Sequence, residues 1–377
     1  TPKVKQEKGR FSSLKNIRLS FTMWLKNLGL IGRFRRYQRN TNMYEAILPL
    51  AFSLGFLACF VSLPLIMKKM KSAGIVGPDV HKRNKPAVPE MGGIGILVGL
   101  AVSMVGVSLL LREEAWTFLC FLGVVLATGL IGALDDLKPL NPIVKPALTA
   151  LTGLPILLVD AFVTDVYTPR PVLPFVGSTR LTIVYPLMIP LVTAVFANAV
   201  NMMDSFNGEM PATSSITVLV LLVSAVLLGE RGNAVVMCTG LLGCLLAFYY
   251  FNRHPAKTFA GDVGSLSVGA AIGATAIMGR LEVVALVAFM PQIMNAFYGL
   301  ATVGRLYERR EVPRPTLLLE DGRLAVSDDT KAPITLARMV LARGPLYEGE
   351  IVRVLVILQT ISAVLSLFTL YLVAVAP

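Results

Sequence analysis

Three Asn, one Asp and one Glu crowd into twelve residues, NAVNMMDSFNGE at 198–209, where a long apolar run ends. Asn198, Asn201, Asp204 and Asn207 recur every third residue, a spacing that holds side chains on one slowly drifting helix face. Asn207-Gly208 is a turn signal, so the helix is expected to end there. A second group, GALDDLKPLNPIVK at 132–145, sets Asp135 beside Asp136. Adjoining carboxylates repel unless they share a cation or a proton. Lys138 and Lys145 lie seven apart, one face of a helix, suited to a phosphate or to snorkelling toward the membrane surface. GPDVHKRNKPAVPEMGG at 77–93 offers Asp79, Lys82, Lys85 and Glu90, and NRHPAKTFAGDVGSL at 252–266 offers His254 and Asp262. The stretch ERREVPRPT adds Arg309, Arg310 and Arg314, and guanidinium forks suit phosphate. Carboxylates and amides are the ligands of a hard cation such as Mg2+, which takes one or two carboxylates and fills its shell with substrate phosphates. Together these groups have the chemistry of a diphosphate site. Each also fits a plainer role: a solvated loop at 77–93, an ordinary acidic pair at 135–136, an interhelical amide at Asn198, a structural His254, a helix-capping Asp262, interfacial arginines in 304–353.

The elements that must position these groups are membrane helices. Of 377 residues 55% are apolar and only 15% charged, against roughly 25% charged in soluble domains, and the mean hydropathy is +0.68. Charge-free runs of about 20 residues match the bilayer core, and they lack the alternation of a β-barrel. The expected fold is an all-α polytopic bundle of about ten spans, near 44–66, 92–111, 115–134, 146–159, 183–200, 212–229, 233–251, 263–278, 283–303 and 354–375. The fourth is short for a crossing. Glycines in these runs read as close helix packing. Cys59, Cys120, Cys238 and Cys244 all lie in apolar runs and read as buried residues without a disulfide or metal role. The net charge of +12 suits anionic headgroups rather than nucleic acid.

Alternate loops divide the cations unevenly. Loops 67–91, 135–145, 201–211, 252–262 and 304–353 hold 19 Lys or Arg, the opposite set 5, which places the first set in the cytoplasm. All five polar groups lie in that set. The eleven Lys or Arg of residues 1–42 fall on the opposite side by alternation; this basic extension, with Phe21 and Trp24, reads as an amphipathic surface helix preceding an integral domain at 43–377. Within loop 304–353, Asp321-Gly322 between apolar runs predicts a hairpin, and TLARMVLARGP a short amphipathic helix stopped by Gly344-Pro345. Apart from Glu45, the spans carry no charge. A coupled carrier concentrates ionisable groups near the bilayer midplane, so chemistry confined to one face favours an enzyme acting on a lipid headgroup and a soluble substrate.

The ordered motifs PDVHK…VPEMGG, DDL, NAVNMMDSFNG and FAGDVGSL, followed by an arginine-bearing loop, resemble the polyprenyl-phosphate N-acetylhexosamine-1-phosphate transferases of glycosyltransferase family 4. These include the eukaryotic dolichyl-phosphate enzyme, archaeal counterparts and the bacterial phospho-MurNAc-pentapeptide transferase. The resemblance covers about 65–350. It implies ten or eleven helices and transfer of a sugar-1-phosphate from a UDP-sugar to a polyprenyl phosphate, with release of UMP and dependence on Mg2+, or Mn2+ in its place. It also implies Asn201 and Asp262 as metal ligands, Asp135, Asp136 and Lys145 as catalytic groups, and Asn207 as a uracil contact. Asp79, Lys82, Glu90, Asn198, Arg309, Arg310 and Arg314 then line the substrates. Homodimers occur in the family. Loop 304–353 contains no histidine, unlike the peptidoglycan branch, and VPEMGG resembles the archaeal and eukaryotic branch, so UDP-GlcNAc and a dolichol-type acceptor are expected. The implied location is the plasma membrane of a prokaryote or the endoplasmic reticulum of a eukaryote.

Overall fold

The computed structural model describes residues 41–375, apart from 230, 231 and 308. The expected surface helix, with Phe21 and Trp24, lies outside the described residues. From there the chain runs through α1 (Thr41–Ser72), the hairpin β1 (Val76–Pro78) and β2 (Ala87–Pro89), α2 (Gly93–Leu110), α3 (Ala115–Leu137), α4 (Val144–Leu151) and α5 (Leu154–Phe162). The hairpin β3 (Val172–Leu173) and β4 (Gly177–Ser178) follows, then α6 (Val184–Met203), α7 (Glu209–Leu228), α8 (Gly232–Asn252), α9 (Gly261–Met278), α10 (Glu282–Ala288) and α11 (Met290–Val303). The chain closes with β5 (Thr316–Leu318), β6 (Leu324–Val326), α12 (Leu336–Leu341) and α13 (Glu348–Val375). Each hairpin is antiparallel. Among the described residues nine spans are long and apolar enough to cross a bilayer, and ten if the bent pair α10–α11 counts as one. The protein is an all-α polytopic membrane protein.

Several boundaries differ from expectation for physical reasons. The short fourth span becomes α4 and α5 together, Val144–Phe162, which restores a full crossing. α6 stops at Met203, not at Asn207: Asp204 turns out of the helix at φ −66°, ψ 83°, and Gly208, at φ +82°, opens α7. Asn207-Gly208 is thus the start of the next helix, and the three-residue periodicity does not form one continuous helical stripe. Lys138 and Lys145 share no helix, because α3 ends at Leu137 and Lys138 is extended. The expected hairpin at Asp321-Gly322 is β5–β6, with Gly322 at φ +87°. The short amphipathic helix is α12, whose Thr335 hydroxyl accepts from the Arg338 N–H at 3.2 Å. All four cysteines are buried and free.

α9 is the most deeply buried span. Eleven of the eighteen residues in its sequence GDVGSLSVGAAIGATAIM are Gly, Ala, Ser or Thr, which lets neighbouring backbones approach closely. Gly93 and Gly264 touch so tightly that a Cβ on Gly93 would lie 2.1 Å from the Gly264 Cα. A Cβ on Gly132 of α3 would meet the carbonyl oxygen of Asp262 at 2.4 Å. Gly132→Ala is therefore expected to push α3 from α9 and lower stability by about 1–3 kcal/mol. Thermal unfolding in detergent checks this; an unchanged melting temperature would show that the contact is looser than described.

The spans are not inert at mid-depth. Where α10 meets α11 the axis bends by 65°, and α13 side chains donate to carbonyls beside the bend: Gln359 to Ala288 at 2.7 Å, Ser362 to Val287 at 2.6 Å and Ser366 to Val284 at 2.7 Å. Gln359 also donates to the Thr217 hydroxyl and accepts from Gln292. All of these groups are uncharged.

Candidate active site

The five polar segments of the sequence meet at one end of the bundle around a cavity of about 1110 Å3. Its floor is built where α9 begins. Asp136, at the end of α3, accepts from the Asp262 and Val263 backbone N–H groups at 2.8 and 3.0 Å. It therefore caps α9 from a neighbouring helix and complements the positive end of its dipole. Asp262 does not cap its own helix, whose cap position is Ala260. Its carboxylate is freed for other work: Oδ2 accepts from Lys145 and Oδ1 from the Asn201 amide at 2.8 Å. Asn201 also donates to Ser265 at 2.9 Å. Lys145, buried on α4, donates to Asp135 at 3.0 Å as well, and Asp135 accepts from the Leu140 N–H at 2.7 Å. The adjoining pair therefore splits: Asp135 grips the lysine while Asp136 grips a helix end.

Asn198 stands one turn further into the membrane, donating to Thr149 and to the Ala194 carbonyl, both at 2.8 Å. That ties α6 to α4 beneath the lysine. Arg309 reaches across the mouth to the Asp204 carbonyl at 2.9 Å, and Arg310, Arg314 and Glu90 line the wall. Burial pushes the Glu90 carboxyl up, against the pull of Arg310 and with the push of Asp262.

A second polar group forms the far wall. Four consecutive amides between α6 and α7 are each taken by a side chain. Ser205 and Phe206 donate to Glu209, both at 3.1 Å, Asn207 to Glu348 at 2.8 Å, and Gly208 to Asn252 at 3.1 Å. The Asn207 side chain donates to Asp79 at 2.9 Å and is buried, so its amide is engaged with protein groups. Lys82 pairs with Glu348 and approaches the His254 ring nitrogen at 3.0 Å. His81 stacks on Phe206 with centroids 4.8 Å apart, and burial lowers its tendency to protonate. Asp79, His81 and Glu348 lie near enough to share an ion, yet their carboxylates already accept from His81, Asn207 and Lys82.

Of the candidates read from sequence, Asp79, Glu90, Asp135, Asp136, Lys145, Asn198, Asn201, Asp262 and the three arginines line the cavity. Lys82 and Asn207 belong to the layer joined to Glu348. Glu348, Glu209, His81 and Asn252 were not singled out. Glu348 looked like a loop residue because the last span was expected at 354; two acids in the first turn of a helix, Glu348 and Glu350, were the available signal.

Asp204 faces the same cavity. Burial raises its carboxyl from 3.8 to about 7, opposed by Arg309 and reinforced by Asp262. The native state then holds this proton more tightly than the unfolded chain. The resulting stability is complete below about pH 4 and is lost as pH rises to about 7. Asn resembles the protonated form, so the melting temperature of metal-free Asp204→Asn should fall less than that of the parent between about pH 5 and 8. Identical pH dependences would mean that the carboxyl is ionised throughout.

The model of glycosyl transferase family 4 matches residues 118–280. A protein of Methanocaldococcus jannaschii, provisionally named a glycosyltransferase, is 29% identical over 306 residues, 80% of this chain and 90% of its own. One from Saccharolobus solfataricus, provisionally named a UDP-N-acetylglucosamine–dolichyl-phosphate N-acetylglucosaminephosphotransferase, is 26% identical over 325 residues, 85% of this chain and 95% of its own. The phospho-N-acetylmuramoyl-pentapeptide-transferase of a Geobacillus strain is 30% identical over 262 residues, 64% of this chain and 78% of its own. The matched region contains Asp135, Lys145, Asn201 and Asp262, and on these relatives the chain belongs to glycosyl transferase family 4.

Proposed function

We propose that the protein transfers N-acetylglucosamine-1-phosphate from UDP-N-acetylglucosamine to a polyprenyl phosphate of the dolichyl type, releasing UMP, as a first step of lipid-linked glycan assembly such as that used in protein N-glycosylation. The observation that carries the proposal is Asp262, held between Lys145 and Asn201 on the floor of a cavity that is polar at one end and apolar at the other. Leu191 and Val195 of α6 and Phe297 of α11 form the apolar side and are exposed, a surface suited to a prenyl tail reaching the site from the bilayer. Loop arginines at the mouth suit a soluble diphosphate. The positive-inside distribution supports a cytoplasmic position for this face.

The donors suit Mg2+ or Mn2+. Asp262 offers carboxylate oxygens, and Asn201, whose amide nitrogen is spent on Asp262 and Ser265, offers its oxygen. When bound, a divalent cation withdraws charge from the diphosphate. The chain's own residues then do the positioning. Lys145, fixed by Asp135, presents a cation to phosphate; Arg309, Arg310 and Arg314 hold the pyrophosphate; Asp136 fixes the helix that carries Asp262. A phosphate monoester has its second pKa near 6, so the acceptor is largely dianionic at neutral pH. Its oxygen attacks the β-phosphorus in line, the bond to the α-phosphate oxygen breaks, and UMP departs with that electron pair. No proton must be removed from the nucleophile.

The test is purified protein with radiolabelled UDP-GlcNAc and polyprenyl phosphate, with and without Mg2+. Metal-dependent lipid-linked product is expected. Absence of product across several UDP-sugars would sink the enzyme reading, and labelled product from another UDP-N-acetylhexosamine alone would redirect the substrate, including toward cell-wall glycans.

A further inference from the structure

Among the described residues, Glu348 is the one side chain that ties α13 to three separate loops of the site. It lies at the first turn of α13 and is only 4% exposed. Its Oε1 accepts the Asn207 backbone N–H at 2.8 Å. Its Oε2 accepts from Lys82 and lies 3.2 Å from the His254 ring nitrogen. The three partners come from the β1–β2 hairpin, the α6–α7 connection and the α8–α9 connection. Glu209 and Asn252 also hold the α6–α7 connection, but neither contacts Lys82. A carboxylate buried among an ammonium, an imidazole and an amide has no need of a cation of its own. What it gains is a fixed geometry for groups at the polar end of the cavity, away from the apolar side formed by α6 and α11.

We infer that Glu348 is a positioning residue for the nucleotide-sugar, setting the 205–208 connection and Lys82 so that the polar end of the cavity accepts the UDP moiety. The inference rests on the transfer reaction proposed above and extends it to a residue outside the motif segments. Glu348→Gln keeps an oxygen for the Asn207 N–H and removes the charge that faces Lys82. Hydrogen bonds to charged groups are the costly ones to lose, so KM for UDP-GlcNAc should rise about tenfold or more, with kcat within about threefold. KM for polyprenyl phosphate should stay within about twofold, because the apolar side is untouched. Glu348→Asp, which keeps the charge, should recover part of the loss. Glu350 accepts only the Tyr347 N–H in the exposed part of the same turn, so Glu350→Gln should match the parent.

Hydrogen–deuterium exchange gives a readout independent of turnover. The peptide covering 205–208 should exchange faster in Glu348→Ala than in the parent. Unchanged kinetics in Glu348→Gln, or an equal rise in both KM values, would overturn the assignment, as would unchanged exchange. If the parent turns over no UDP-sugar at all, the transfer reaction falls and the substrate named here falls with it; the exchange experiment still decides whether Glu348 holds the connection.

Discussion

Asp262→Asn is expected to lower turnover about a thousandfold while UDP-sugar affinity changes by only a few fold. The substitution is nearly isosteric, and Asp136 continues to cap α9 through backbone N–H groups that do not involve the Asp262 side chain. Lys145 keeps its bond to Asp135, so the ammonium is still paired and the fold should survive. What is lost is one negative charge at the point where Lys145 and Asn201 converge. On the proposed reaction that charge would serve a hard cation, and its loss would be felt when charge shifts during transfer more than when the nucleotide docks. Radiolabel transfer across a Mg2+ titration, paired with equilibrium binding of UDP-GlcNAc, separates the two. Full activity in the variant would reduce Asp262 to a purely structural acid.

Lys145→Met is expected to lose both activity and stability. The lysine is about as buried as the Asp135 it binds, each side chain being 7% exposed. Removing the ammonium strands Asp135 and Asp262 near one another without their shared counter-charge. Breaking a buried pair by deleting one partner costs about 3–5 kcal/mol, which should appear as a large fall in melting temperature in detergent. A second substitution distinguishes the structural from the chemical role. Lys145→Met combined with Asp135→Asn removes one stranded charge and should recover part of the melting temperature, yet no transfer. If activity returned with stability, Lys145 would serve the fold alone.

The span pattern was legible because bilayer-length apolar runs leave little choice of structure. The segments of the site were legible too, because Asp, Asn and Lys at the ends of such runs demand a reason. What could not be read was how their work is divided. Asp135 and Asp136 are neighbours in sequence, but successive helical residues point about 100° apart, so one meets Lys145 and the other reaches α9. Asp262 looked like a cap because its own helix begins there, and nothing local reveals that another helix supplies the cap. Asn207 followed the period of Asn198 and Asn201, but the helix had already ended at Met203. Glu348 was hidden by distance along the chain: its partners Lys82 and Asn207 are 266 and 141 residues away. The family resemblance named Asp79, Lys82 and Asn207 of this connecting layer but not Glu348, Glu209 or Asn252, which hold it together.

The bend between α10 and α11 has a consequence for biosynthesis. Carbonyls beside it accept from Gln359, Ser362 and Ser366, which leave the ribosome some seventy residues or more after the bend itself, the separation between Ala288 and Gln359 being 71. Until α13 arrives, those contacts across the bend cannot form. The far wall waits for the same helix, since Glu348 opens it. The early spans can insert one by one, but the site is completed by α13, so a chain halted before it would leave both the bend and the polar end of the cavity unfinished.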